Sequence, residues 1–191
     1  MLSGTSGSAL IAADQVDVDV SVIDSCGATV SAGLVVQKAC ELRDAGVDFA
    51  DAVAQIKEAV SKARFFVACD TLENLLRGGR LSAEQVDATN LLNIKPIFTF
   101  DERGVFGPCD KAKGMKGVIK RYVEIIEEQT AQSGTLRIRF CHARNAEGVK
   151  KVKQALSEAG VDYIDEGTSK CGAIIATHLG MGALGFGILP A

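Results

Sequence analysis

The sequence predicts an α/β protein with two lobes. The first is a parallel doubly wound sheet, incomplete at its N-terminus, and the second is an α+β lobe with a mixed or antiparallel sheet. Helical and strand patterns alternate in the first third of the chain, which is typical of a parallel sheet covered by helices. After residue 93, a hairpin as well as helices joins the strands, which favours a mixed sheet. We expect the lobes to comprise residues 1–71 and 72–191.

The elements of the first lobe follow from hydrophobic periodicity. A glycine- and serine-rich turn at residues 3–8 opens a helical stretch at 9–14. Residues 16–23 alternate apolar and polar side chains, which predicts a strand. The remaining elements of this lobe are two helices and a buried strand, predicted at residues 34–42, 49–61 and 65–69.

The second lobe begins with a helix for which Asp70 or Thr71 is the N-cap and which Gly78 and Gly79 end. A capping box at residues 82–85 predicts another helix. The turn at residues 101–104 separates two hairpin strands. The predicted strands are 94–100, 105–108, 135–142, 163–166, 173–177 and 185–189, and the further helices are 118–128 and 146–158.

Composition and charge exclude several classes of function. The 191 residues are 47% hydrophobic and 24% charged, as in a globular protein. A net charge of −3 and an aromatic content of 5% argue against nucleic acid as a partner. The six cysteines lack zinc-ligand spacing and no secretory pattern is present, so we expect reduced thiols, a cytoplasmic location, no metal and no cofactor. No apolar run is long enough to form a transmembrane segment.

The opening turn, Ser3-Gly4-Thr5-Ser6-Gly7-Ser8, is the first candidate site. Its glycines allow backbone N–H groups to approach a ligand, and the N-terminus of the following helix favours an anion. The alternative is an N-cap with a flexible loop. No Gly-Lys-Ser/Thr follows, so the turn is not a Walker loop.

Four other candidate side chains lie at or near the ends of predicted strands and helices. Thr29 follows the predicted strand and faces the ligand crevice of an open sheet or, alternatively, caps the next helix. His178 lies between a predicted strand and a glycine turn, where an imidazole can donate to a carboxylate. Arg80 follows Gly78-Gly79 and either grips an anion or offsets a helix dipole. His142 is interpreted as a solvated or hydrogen-bonded residue at a strand end.

Motifs of self-sufficient enzymes are missing from the sequence. It contains no G-x-S-x-G elbow and no H-E-x-x-H, and its Ser, Thr and His residues have no obvious activating carboxylate. The sequence therefore predicts a binding protein. The alternatives are a small-molecule phosphotransferase that uses residues 3–8 as an anion loop with Arg80 as the clamp, and a structural fragment that binds no ligand.

Several of these segments together resemble the DegV family of bacterial fatty-acid-binding proteins. Five blocks occur in family order across essentially the whole chain. They are Leu2-Ser3-Gly4-Thr5 with Ser8-Ala9; Val22-Ile23-Asp24-Ser25 with Gly33-Leu34; Asp70-Thr71-Leu72-Glu73-Asn74-Leu75 with Gly78-Gly79-Arg80-Leu81-Ser82; Leu91-Leu92-Asn93-Ile94-Lys95-Pro96-Ile97; and Thr177-His178-Leu179-Gly180-Met181-Gly182-Ala183-Leu184-Gly185.

The resemblance implies one long-chain fatty acid buried between two α/β lobes. It implies that hydroxyls at Thr5 and Thr29 hold the carboxylate, with Ser3, Gly4 and His178 beside them. It also implies that the protein has no complete active site of its own. Members of this type present the acid to the catalytic subunit of a fatty-acid kinase, which uses ATP to form an acyl phosphate. Loading and delivery imply transient contact with a membrane surface.

The chain departs from the family pattern at four points. Ser6 stands where the family usually has tyrosine, Met181 where proline is common, and Thr29 where serine is frequent. The family's opening strand with its Asp-Ser-Thr segment does not occur in the sequence. We therefore expect part of the first lobe and of the acyl tunnel wall to be missing.

Overall fold

The computed structural model describes residues 3–82 and 93–191. The helices within these ranges are α1 (Thr5–Ala13), α2 (Thr29–Asp44), α3 (Phe49–Lys62), α4 (Glu73–Arg77), α5 (Gly114–Ser133), α6 (Ala146–Glu158) and α7 (Ala173–Leu179). The strands are β1 (Arg64–Ala68), β2 (Ile94–Phe100), β3 (Phe106–Lys113), β4 (Leu136–His142), β5 (Ile164–Lys170) and β6 (Leu184–Pro190). The capping box at 82–85, apart from Ser82, and residues 91 and 92 of the fourth block lie outside the described residues.

The six strands form one mixed sheet in the order β3-β2-β1-β6-β4-β5. Only the β4–β5 pair is parallel among the described strands, and the other four pairs are antiparallel. This confirms the α/β class and the mixed sheet. The hairpin of β2 and β3 and the helix at 146–158 are also confirmed.

The first third of the chain differs from the prediction of a parallel doubly wound sheet. Within residues 3–71, β1 is the only strand, and it lies inside the mixed sheet between β2 and β6, antiparallel to both. Residues 16–23, predicted as a strand, pair with no strand in the described ranges, and Val18 is 69% exposed. The alternation of apolar and polar residues predicts which face of a sheet each side chain would occupy. A strand also requires a neighbouring strand that hydrogen-bonds to its backbone N–H and C=O groups. The division into lobes at residue 71 stays a prediction.

The strand prediction at residues 173–177 is wrong, because this segment belongs to α7. A short apolar run fits a buried strand and a buried helix equally well. Here Ile175, Ala176 and Leu179 pack on the apolar core at helical spacing. Asn74 of α4 also donates from Nδ2 to the carbonyl of Thr177, at 2.8 Å. Tertiary contacts therefore decide the helix.

The sheet separates two apolar clusters. The first cluster lies under α5 and α6, where the Tyr122 hydroxyl donates to the Leu184 carbonyl at 2.7 Å. The second cluster lies on the opposite face and includes Val30 of α2, Cys141 of β4 and Leu179 of α7. Alternate residues of β1 and β4 contribute to the two clusters, as the two-residue period of a strand requires. The start of α2 is thereby fixed beside β4 and α7.

Polar contacts hold α2 across the strands on this second face. Arg137 of β4 donates to Glu41 of α2 at 2.8 Å and to Glu166 of β5 at 2.7 Å. Arg139 donates to Gln37 of α2 at 3.1 Å. The hydrogen bond from Arg137 lowers the pKa of the Glu41 carboxyl. These bonds fix the register of α2, and with it the position of its first residue, Thr29.

Candidate functional site

The opening turn forms the N-terminus of α1. Gly4 is the N-cap and makes no side-chain cap hydrogen bond. The Thr5 N–H instead donates to Ser3 Oγ at 3.2 Å, and the hydroxyls of Ser3 and Thr5 are 2.8 Å apart. Ser3, Gly4 and Thr5 are all exposed. Two hydroxyls and the first N–H groups of a helix therefore face outward together, a donor set suited to a carboxylate.

Asp24 connects this turn to the segment that leads to Thr29. The Ser6 hydroxyl donates to Asp24 Oδ2 at 3.3 Å, while the Cys26 N–H donates to Oδ1 at 3.0 Å. Ser6, which stands where a tyrosine is usual in the resembling family, thus joins two segments that are 18 residues apart. The opening turn is therefore linked to the segment that runs into α2.

Thr29 has a backbone conformation that β-branched residues rarely adopt, with φ +51°. It is the first residue of α2, and Ala28 is the N-cap without a side-chain cap bond, so the capping alternative for Thr29 is wrong. Its Oγ1 lies 4.0 Å from Cys141 Sγ of β4 and makes no closer polar contact among the described residues. Strain of this kind persists where surrounding structure holds it, and it clusters at ligand sites.

His178 and Arg80 come together around Gly78 and not at Thr29. A β-carbon at position 78 would lie 2.4 Å from His178 Nδ1, so the imidazole rests on the glycine. That Nδ1 is buried and has no hydrogen-bond partner in the described part of the chain. Arg80 is exposed and donates to the Gly78 carbonyl at 2.5 Å. This position just beyond α4 agrees with the alternative that Arg80 offsets the dipole of that helix. Across the two described ranges, no contact joins either side chain to Thr5 or Thr29.

The position of Arg80 argues against the phosphotransferase alternative. That alternative needs Arg80 to clamp an anion held by residues 3–8, yet the guanidinium lies at Gly78. Residues 3–82 and 93–191 contain no group of three or more His, Cys, Asp or Glu side chains placed to hold a metal ion. The structure therefore offers no observation in favour of a phosphotransferase site.

His142 is buried at the end of β4, where its Nδ1 accepts from the Asn145 N–H at 3.0 Å. Burial lowers the pKa of this imidazole, and the nearby Lys170 adds to the effect. The prediction of a hydrogen-bonded residue at a strand end is confirmed. A neutral imidazole suits this acceptor role.

Cysteines near Thr29 are the residues that sequence reasoning missed. The sequence indicates Cys141 only as a small apolar residue, yet its sulfur is the hydrogen-bond partner of Thr29 Oγ1 in the described structure, at 4.0 Å. Cys171, just ahead of α7, packs against the same apolar cluster. The one available signal was the position of Cys141 near the end of a predicted strand, where ligand sites occur. Its contacts depend on three segments that are distant in sequence.

A cleft of about 400 Å³ opens beside the start of α2. Ser25, Cys26 and Gly27 line one wall, and the buried Phe65 and half-buried Phe100 form its apolar part. The exposed charged side chains around it are Lys57, Asp101 and Glu102. This volume lies within the range of small-molecule sites, and the apolar part adjoins the second apolar cluster.

No helix in the described part of the chain is both long and apolar enough to cross a membrane.

Comparison with known proteins identifies relatives along the whole chain. The family model described as "Uncharacterised protein, DegV family" matches residues 1–191. A DegV domain-containing protein of Streptococcus pneumoniae is 35% identical over 158 residues, which cover 83% of this chain and 55% of that protein. A protein of Thermotoga maritima named "Fatty acid-binding protein" is 33% identical over 191 residues, which cover 98% of this chain and 65% of that protein.

Comparison with solved structures leads to the same family. The crystal structure of a fatty acid binding DegV family protein from Streptococcus agalactiae superposes with a TM-score of 0.87 and 30% sequence identity, covering 100% of this chain and 67% of that one. The chain thus spans between about half and two thirds of the length of the proteins it matches.

Proposed function

Because this chain belongs to the DegV family, we propose that it binds a long-chain fatty acid whose carboxylate is held by the hydroxyls of Thr5 and Thr29. Ser3 and Gly4 contribute donors from the same turn, and the family resemblance adds the imidazole of His178, which packs on Gly78 in this structure. The observation that carries the proposal is Thr29, a residue with φ +51° whose hydroxyl makes one hydrogen bond in the described structure, a long contact of 4.0 Å with Cys141 Sγ. A hydroxyl with so long a contact is able to donate to a carboxylate head group.

The names of relatives support this ligand class. Both the Thermotoga maritima protein and the Streptococcus agalactiae structure are described as fatty acid binding.

We assign the acyl chain to the cleft beside α2. Its apolar lining is formed by Val60, Ala63, Phe65 and Phe100, and polar side chains such as Ser25 complete the wall. The rings of Phe100 and Phe106 of β3 are tilted by 52° to each other, with centroids 5.2 Å apart. Each buried methylene contributes about 0.8 kcal/mol, so the chain supplies most of the affinity and the hydroxyls fix its orientation. Neutral donors leave the carboxylate able to accept a phosphoryl group later.

Native mass spectrometry of protein purified from bacteria tests the ligand class. We expect an added mass equal to one long-chain fatty acid, which organic extraction releases. The delipidated protein should bind palmitic acid more tightly than hexadecanol, since the alcohol matches the acyl chain and lacks the carboxylate. An unliganded mass together with no uptake of added acids would contradict the proposal, and binding of ATP would favour the phosphotransferase alternative.

We further propose that the bound acid is presented to the catalytic subunit of a fatty-acid kinase, in the cytoplasm where ATP is available. Support comes from the family resemblance and from a head group held by exposed donors such as Thr5. The lipid-loaded protein, mixed with such a subunit and Mg-ATP, should give an acyl phosphate that hydroxylamine traps as the hydroxamate. Reactions lacking either protein should give none. An equal yield from free fatty acid without this protein would overturn the proposal, and cell fractionation checks the location.

A further inference from the structure

Four aromatic rings form a connected cluster at the apolar part of the cleft beside α2. Phe65 of β1 and Phe100 of β2 line the cleft, and their ring centroids are 6.0 Å apart. The ring of Phe100 also lies 5.2 Å from that of Phe106, which in turn stacks on Phe98 at 5.2 Å. Phe98 belongs to the second apolar cluster, and Phe106 packs against it. The Phe100 ring is therefore part of the cleft wall and of the aromatic core behind that wall.

Backbone pairing fixes the place of the Phe100 ring. Phe100 and Phe106 are partners across the hairpin of β2 and β3, so their side chains share one face of the sheet. The hairpin is closed directly after Phe100, where the Asp101 N–H donates to the Val105 carbonyl at 3.0 Å and Asp101 Oδ1 accepts from the Val105 N–H at 2.8 Å. Phe65, only 3% exposed, confines the ring from the side of β1. The end wall of the cleft is thus built before any ligand arrives.

The lining of the cleft has a polar part and an apolar part. The polar part includes Ser31 of α2, which is two residues after Thr29, the residue assigned to the carboxylate. The apolar part is formed largely by the two rings and by α3 and its C-terminal end. A carboxylate requires hydrogen-bond donors, whereas the end of an acyl chain requires apolar surface. The head group therefore belongs on the side of α2, and the end of the acyl chain belongs at Phe100.

The charged groups of the lining agree with this orientation. Asp101 and Glu102 directly follow Phe100 and also line the cleft, so a carboxylate placed at the ring would meet two like charges. Of the cations in the lining, Lys57 is exposed, and Arg64 donates to two carbonyls of its own segment at 2.7 and 2.9 Å. The ring end of the cleft is accordingly suited to a methyl group and not to an anion.

We propose that the Phe100 ring closes the apolar end of the cleft and thereby sets the acyl-chain length that this protein binds best. The inference rests on the proposed function, since it concerns the acid assigned to this cleft. Each methylene that enters apolar surroundings raises the affinity about fourfold. A methylene that reaches the ring has no further apolar space to enter. Affinity therefore rises with chain length up to a limit, and Phe100 decides where that limit lies.

A series of saturated acids from lauric to arachidic acid tests this role. We expect Phe100→Ala to move the limit to acids about two methylenes longer and to raise the affinity for those longer acids about tenfold, because the space left by the ring is continuous with the cleft. Phe100→Trp should move the limit to shorter acids. Phe49→Ala is the matched control, since it removes a ring that is 56% exposed at the start of α3, and its limit should equal that of the wild type.

The position of the limit separates a role in specificity from a role in folding. A variant that is only less stable binds every acid more weakly by the same factor, so its limit stays in place. Thermal unfolding checks each variant, and Phe100→Leu replaces Phe100→Ala if the alanine variant does not fold. The same limit in the wild type and in all Phe100 variants would overturn the inference and leave the proposed function standing. A wild-type protein that binds no acid of the series would refute the proposed function, and this inference with it.

Discussion

Thr29→Val should weaken fatty-acid binding about 10- to 100-fold, because it removes a hydrogen bond to a charged group worth about 1.5–3 kcal/mol. Valine keeps the β-branched shape and lacks only the hydroxyl. In the described structure that hydroxyl makes just one polar contact, 4.0 Å from Cys141 Sγ, so the free energy of unfolding should hardly change. Titration with palmitic acid gives the affinity, and thermal unfolding checks the fold. Thr5→Ala should also weaken binding.

Two control variants make this result specific. Thr168→Val applies the same exchange to an exposed threonine on β5, and Cys109→Ser changes an exposed cysteine on β3. Both should bind palmitic acid as the wild type does. Equal affinity across Thr29→Val, Thr5→Ala and these controls would show that the carboxylate lies elsewhere. A lower unfolding temperature for Thr29→Val alone would mean that its hydroxyl supports the fold rather than a ligand.

Gly187→Ala should destabilise the protein by about 3 kcal/mol. Gly187 lies in β6, which pairs with β1 and β4 on its two sides. An added β-carbon would lie 2.6 Å from the Ser31 N and 2.9 Å from the Val30 carbonyl carbon. Both atoms belong to the backbone of α2, so no side chain can rotate out of the way. The start of α2 would have to move off the sheet and carry Thr29 with it.

Calorimetry measures this effect as a fall in Tm of roughly 6–12 °C, given roughly 2–4 °C per kcal/mol for a domain of this size. Gly107→Ala is the matched control, because Gly107 also lies in a strand but its added β-carbon would meet nothing within 4 Å. Its unfolding temperature should stay near that of the wild type. Identical unfolding of the two variants would contradict the close approach of α2 to β6. Weaker lipid binding by Gly187→Ala would further link the packing of α2 to the carboxylate site.

Sequence patterns predicted an element correctly where the contacts that decide its conformation lie within or next to it in the sequence. The helix at residues 146–158 has the predicted bounds, and its start is fixed locally by Asn145, whose Oδ1 accepts from the Gly148 N–H at 3.0 Å. The hairpin of β2 and β3 was found because the turn at 101–104 lies between two alternating runs. Prediction failed for residues 16–23 and 173–177, whose conformation depends on what lies beside them. The five blocks in family order across the chain also indicated the family.

The sequence by itself determined the α/β class, the mixed sheet of the second half and the hydroxyls that a carboxylate could use. Those features depend on side-chain periodicity and on residue types, which the chain carries locally. Only the tertiary structure shows that β1 lies within the mixed sheet, that Thr29 has a strained backbone beside Cys141, and that His178 packs on Gly78. These are contacts between segments far apart in the chain. They arise because each strand and helix buries its apolar side against whichever neighbour the packed fold supplies.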